Sequence, residues 1–291
     1  MIARFRRATS DLATRLLALI LLQVTGAMPG TVTSTAQAEE FWPPQVDIAL
    51  VLAVDTSTSV DAKEFRLQML GFANAFRHDS VYQAMRSGAP FGMAVAMLQW
   101  SGPETIAEAV PWTVLQSRDD MLRLADRLSA TPRLVTGGRT ALGQAVLHGI
   151  GMLDSVPVPA RRRVVDVSGD GSNNAGVLPR EARQIATGHG VTVNGLAILN
   201  EEPRLDVYYR SDLITGPGAF QISATDYVDF ARAIRLKLVR EIIGLPLAGN
   251  GRPRHDRGYG PVERIRSPSH NPATRVRLWP IGLQHAERTG Q

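Results

Sequence analysis

An unbroken apolar run, Ile48-Ala49-Leu50-Val51-Leu52-Ala53-Val54, stops abruptly at Asp55-Thr56-Ser57-Thr58-Ser59, and a helical pattern begins at Asp61. The run is short, rich in branched side chains and free of polar alternation, which identifies a strand covered on both faces. Strands of that kind belong to parallel sheets with helices on each side. A parallel strand that passes straight into a helix leaves its connecting loop at the carboxyl edge of the sheet, where open α/β folds bind ligands. This stretch therefore constrains both the fold and the place of the site.

Asp55, Ser57 and Ser59 are oxygen donors spaced by single residues. A carboxylate with two hydroxyls is a hard donor set, suited to Mg²⁺, Mn²⁺ or Ca²⁺ and poorly suited to zinc or copper. In a curled loop these alternate side chains can converge on one point. One carboxylate is too little charge to strip a divalent ion of water, so such a site needs further oxygens from elsewhere in the chain. The alternative is a Ser/Thr-rich turn that caps the following helix through Ser59 or Asp61.

The segment Val51 to Ser59 resembles the first metal-binding loop of von Willebrand factor A domains, the core of their metal-ion-dependent adhesion site. The wider chain resembles a bacterial family of secreted proteins carrying such a domain, one of unknown function. Two later stretches extend the resemblance. Thr136-Gly137-Gly138-Arg139-Thr140-Ala141-Leu142-Gly143 leads into a helix and is similar to the second loop, in which a threonine, here Thr140, adds a direct ligand; Arg139 makes it wider than the usual Gly-x-Thr. Taken alone Thr140 reads as an ordinary N-cap, and only its place beside the first loop favours a ligand. Arg162 to Val167 forms a strand that runs into Ser168-Gly169-Asp170-Gly171-Ser172-Asn173-Asn174, similar to the third loop, whose aspartate contacts the ion through water. Asp170 takes that position, with Ser-Gly-Asp-Gly in place of the commoner Thr-Asp-Gly. Asp166 lies inside the strand and is expected to pair with an arginine of the Arg161–Arg163 run. The resemblance implies a metal site built from Asp55, Ser57, Ser59, Thr140 and Asp170, holding Mg²⁺ (Mn²⁺ or Ca²⁺ as alternatives). A carboxylate of a partner protein would fill the open position.

The rest of the pattern fits one architecture. The helix from Asp61 to Arg77 carries a broad apolar stripe through Phe65, Met69, Phe72 and Phe76, and Val81 to Met85 is expected to add a short helical turn. Strands are expected at Phe91–Leu98 and Ala107–Leu115, the latter placed at an edge by Pro111. Helices follow from Ser117 and Thr140, then a helix at Leu178–His189, a strand at Val191–Ile198, a short strand at Phe220–Ser223 and a closing helix at Asp226–Ile243. Tyr208 and Tyr209 are expected in a long loop open to a partner. The expectation is an α/β fold: a doubly wound, Rossmann-like, mostly parallel sheet with one antiparallel edge strand, von Willebrand A-like.

Charge and processing signals divide the 291 residues into a signal peptide (1–38), this domain (39–245) and a tail (246–291). Residues 1–38 hold four Arg against one acid and include the apolar core Leu16–Val24, too short to span a bilayer. Ala36-Gln37-Ala38 offers a cleavage point after Ala38, which implies a periplasmic or secreted protein. Residues 246–291 hold eight Arg against three acids among many Pro and Gly, a composition of disordered chain. Between them, 20 basic residues face 23 acidic ones, so the basic stripe of a nucleic-acid-binding core is absent. Membrane contact is expected only through an uncleaved signal or the tail. The chain has no cysteine, which excludes disulfides and thiolate chemistry, and only two lysines, Lys63 and Lys237, against thirty arginines, a bias read as genome composition. The function expected is a divalent-metal-dependent, adhesion-type protein-binding module, without enzymatic activity. The alternative is a metal-dependent hydrolase such as a phosphoesterase, which a strand-end aspartate could serve; against it, no Lys or His stands near the three loops in sequence.

Overall fold

The computed structural model describes residues 43–244. The signal peptide and the tail expected at the two ends lie outside them.

Six strands form one sheet in the order β3-β2-β1-β4-β5-β6: β1 (Val46–Asp55), β2 (Met93–Trp100), β3 (Ile106–Leu115), β4 (Ala160–Gly169), β5 (Thr192–Ile198) and β6 (Gln221–Ala224). All neighbours are parallel except β2 and β3, so the antiparallel edge is where the sequence placed it. Every residue of β1 is buried, because it lies between β2 and β4 with helices on both faces. Pro111 falls where the β2–β3 register is broken between Val95 and Met97, a position that asks for no ladder hydrogen bond.

One face is covered by α1 (Ala62–Arg77), α2 (Asp79–Gly88), α3 (Arg118–Ala130) and α7 (Phe230–Ile243). Ile48, Leu50, Leu52 and Val54 of β1 meet Phe65, Met69, Phe72 and Phe76 of α1 in that layer, and Phe72 and Phe230 pack edge to face at 5.2 Å between centroids. The opposite face is covered by α4 (Leu142–Asp154), α5 (Pro179–Gly188) and the short α6 (Leu205–Tyr208), which continues into a wider π-type turn over Tyr209–Leu213. The β1 residues on this side are smaller, Ala49, Val51 and Ala53, and α4 approaches closely through Gly149, where a Cβ would come 2.9 Å from Val165.

Three expectations need correction. Val81–Met85 belongs to a full helix, α2, because His78 caps it by accepting from Ser80 N and Val81, Ala84 and Met85 are all buried in the core beside α7. Tyr208 and Tyr209 lie in α6 and its π turn rather than in an open loop, and Tyr209 is fully buried. The last helix starts at Phe230, since Asp229 turns back to accept from Thr225 N at 3.1 Å and leaves Asp226–Asp229 as a bend. Among the described residues no helix is long and apolar enough to cross a membrane.

Candidate metal centre

β1 delivers Asp55 to the carboxyl edge, and the loop after it is curled by its own hydrogen bonds. Ser57 N donates to Asp55 Oδ1 at 2.7 Å, and Val60 N donates to Ser57 O at 3.1 Å. Thr56 ties the loop to the end of β2 by donating both its N–H (2.8 Å) and its hydroxyl (3.0 Å) to Trp100 O. Arg133 reaches in from the segment after α3 and donates to Thr56 O (2.8 Å) and Ser57 O (3.1 Å). The helix that follows is capped by Asp61 in a capping box with Glu64, so Ser59 is left free of that task.

That freedom is used. Ser57 Oγ and Ser59 Oγ stand 3.1 Å apart, and Ser59 Oγ donates to Asp170 Oδ1 at 2.8 Å. Asp55, Ser57, Ser59 and Asp170, 115 residues apart at their extremes, are thus linked by direct hydrogen bonds.

The second loop is held against both others. Gly137 and Gly138 take positive φ (+70° and +92°), and a Cβ at Gly138 would lie 2.7 Å from Ser101 Oγ. Gly138 O accepts from Thr58 Oγ1 at 2.7 Å. Thr140 does not cap α4; the cap residue is Ala141, and Asn173 of the third loop takes over by accepting from Gly143 N at 3.2 Å. Thr140 is pinned through its backbone instead, N–H to Asn174 Oδ1 (2.8 Å) and O from Asn174 N (2.9 Å). Its hydroxyl borders the third loop, 3.6 Å from where a Cβ on Gly171 would stand, with Glu202 Oε1 3.7 Å from the same point. Glu202 in turn accepts from the N–H and hydroxyl of Ser172.

Two tyrosines belong to this centre, and the sequence did not point to them. Tyr227 donates to Asp170 Oδ2 at 2.9 Å, so both oxygens of Asp170 are engaged. Tyr209 presents its hydroxyl from the other face of the sheet. A Cβ at Gly169 would meet Asp55 Oδ2 at 2.7 Å and Tyr209 Oη at 2.9 Å, which explains glycine there. Burial and the neighbouring carboxylates raise both phenols above their ordinary range, so both remain neutral O–H groups.

Asp55 is fully buried, and its Oδ2 has no hydrogen-bond partner. Burial, and next the charge of Asp170, push its carboxyl up to about 7. A buried carboxylate with an idle oxygen beside a second carboxylate is costly unless a positive charge joins them. The residues therefore suit a hard cation: two carboxylates, three hydroxyls and no soft donor. Among the described residues no group of three or more His, Cys, Asp or Glu is arranged to hold a metal.

Asp166 is not part of the centre, nor does it pair with Arg161–Arg163. Arg161 pairs with Asp47, Arg162 donates to the carbonyls of Glu241 and Ile242, and Arg163 pairs with Asp154. Asp166 points to the α7 face and meets Lys237.

Among solved structures, the chain is similar to proximal thread matrix protein 1 from the mussel byssus (18% identity, 68% of this chain, 48% of that one, TM-score 0.50). It is also similar to the pilus adhesin SpaC from Lactobacillus rhamnosus GG (15% identity, 68% and 30%, TM-score 0.50). A third is a von Willebrand factor type A protein from Catenulispora acidiphila (18% identity, 67% and 43%, TM-score 0.46). The chain spans about half the length of the first of these and under a third of the second. No curated protein matches the sequence. The likeness to the first two structures shows the fold, an α/β architecture whose mostly parallel sheet carries one antiparallel edge strand. The sequence matches, over residues 45–246, the family described as "Protein of unknown function (DUF1194)", and the chain belongs to that family.

Proposed function

We propose that this domain is a divalent-metal-dependent protein-binding module of the cell envelope. In this reading Asp55, Ser57, Ser59, Thr140 and Asp170 hold a Mg²⁺ ion, with Mn²⁺ and Ca²⁺ as competitors, and an acidic side chain of a partner protein completes its coordination. The observation that carries the reading is the idle Oδ2 of the buried Asp55 beside the hydrogen-bonded Ser57–Ser59–Asp170 chain. The ion would supply the missing positive charge and a Lewis-acidic position for a carboxylate. Ser57 and Ser59 are held at one edge by the curled loop, Tyr227 orients Asp170, and the Gly-Gly turn keeps the second loop against the first. Periplasmic or secreted placement, with cleavage after Ala38, belongs to the same proposal and follows from the leader-like first 38 residues.

The test is calorimetric titration of the purified protein with Mg²⁺ and Mn²⁺, followed by capture of envelope proteins with and without EDTA. Saturable binding of one ion, lost in Asp55→Ala, together with capture that EDTA abolishes, is the expected result. Capture that persists undiminished in EDTA contradicts the proposal.

A further inference from the structure

Away from the carboxyl edge, a second polar cluster is sealed beneath α7. The side chains of Lys237, Asp166 and Glu241 are all 1% exposed or less. Lys237 Nζ donates to Glu241 Oε2 at 3.1 Å. Glu241 is fixed from its other side by Asn194 Nδ2 at 2.6 Å, and Asn194 Oδ1 accepts from Phe220 N at 2.8 Å. The Phe220 ring closes the pocket, its centroid 5.1 Å from Nζ. Nζ also lies 2.6 Å from Asp166 Oδ1, yet neither oxygen of Asp166 has an aligned hydrogen bond. The amine is thus hydrogen-bonded to Glu241 and in ion-pair contact with the Asp166 carboxyl, all three groups sealed from solvent.

Two acids share one base in this pocket, and Arg162, whose charge also bears on Glu241, spends its donors on the backbone carbonyls of Glu241 and Ile242. Burial raises the proton affinity of Asp166 well above the usual aspartate range; Lys237 opposes the rise and Glu241 adds to it. The identity of the base also matters. Thirty of the 32 basic residues are arginine, and the other lysine, Lys63, is exposed on α1. The one buried position that keeps a lysine keeps an amine, which can act as a nucleophile where a guanidinium cannot.

We propose that Lys237 and Asp166 condense to an intramolecular amide, with Glu241 as the proton carrier. Glu241 takes a proton from Nζ, the nitrogen attacks Cγ of Asp166, and that proton together with the second one the nitrogen sheds passes to the departing carboxyl oxygen, which leaves as water. The Nζ–Cγ bond replaces the Cγ–OH bond, and an ammonium and a carboxylate become an amide and one water. Exclusion of water by Phe220 and α7 favours the condensed form, and two buried charges disappear. The link joins β4 to α7 across 71 residues, a covalent staple in a chain that has no cysteine for a disulfide.

The experiment is the intact mass of the full chain, purified and denatured, followed by peptide mapping. The expected result is a mass one water below the sequence, a joined peptide containing Asp166 and Lys237, and no cleavage after Lys237 by a lysine-specific protease. Lys237→Arg and Glu241→Ala should show the uncondensed mass, with circular dichroism reporting whether each still folds. A wild-type chain of full mass overturns the proposal. So does a lost water that maps elsewhere, for example a succinimide at Asp170-Gly171, which Lys237→Arg would retain.

Discussion

Asp55 combines full burial, an idle oxygen and a neighbouring carboxylate, and no side chain among the described residues supplies its counter-charge. Asp55→Ala should therefore leave the metal-free fold standing while abolishing stabilisation by Mg²⁺, which for the wild type at about 100 times the dissociation constant amounts to roughly 2.7 kcal/mol; thermal unfolding with and without Mg²⁺ measures both. Tyr227→Phe removes the donor to Asp170 Oδ2 and should cost about 1–3 kcal/mol in urea unfolding in EDTA, with weaker ion binding as well. Gly169→Ala drives a methyl toward Asp55 Oδ2 and Tyr209 Oη and should destabilise by about 1–3 kcal/mol, since both neighbours are buried. At this scale the sequence disclosed what lies close along the chain. Asp55, Ser57 and Ser59 are adjacent and follow a recognisable strand, whereas Tyr227 is 57 residues from Asp170 and sits in what reads as one turn of an amphipathic helix. Lys237 was hidden similarly: the three arginines beside Asp166 in sequence project elsewhere, and its partner comes from the last helix.

Among the elements, β1 sets the architecture and was legible because it is buried along its whole length, which leaves no alternation to confuse its period. Leu52→Ala empties a site facing α1 and should cost about 2–5 kcal/mol, read from the urea midpoint at unchanged slope. β3 was legible for a different reason, since Pro111 can occupy only an edge or a bulge and here occupies both. The elements that escaped are those whose formation depends on tertiary contacts. α2 carries a weak stripe of Val81, Ala84 and Met85 and is fixed by packing against α7 and α1. The π turn at Tyr209–Leu213 gives no local signal, and burial of Tyr209 and Leu213 against β5 accounts for it.

Over the whole molecule, β1, the segment leading into α4 and the end of β4 each bring one loop to the same edge of one sheet, and the hydrogen bonds between those loops join them before any ligand arrives. The central claim is that their oxygens share a cation, and the most direct measurement is anomalous diffraction from crystals grown with Mn²⁺. The account predicts one peak at the carboxyl edge, about 2.1–2.3 Å from the hydroxyls of Ser57 and Ser59 and within reach of Asp55, Thr140 and Asp170. A crystal with no peak there, or with manganese bound only at surface carboxylates, would contradict it.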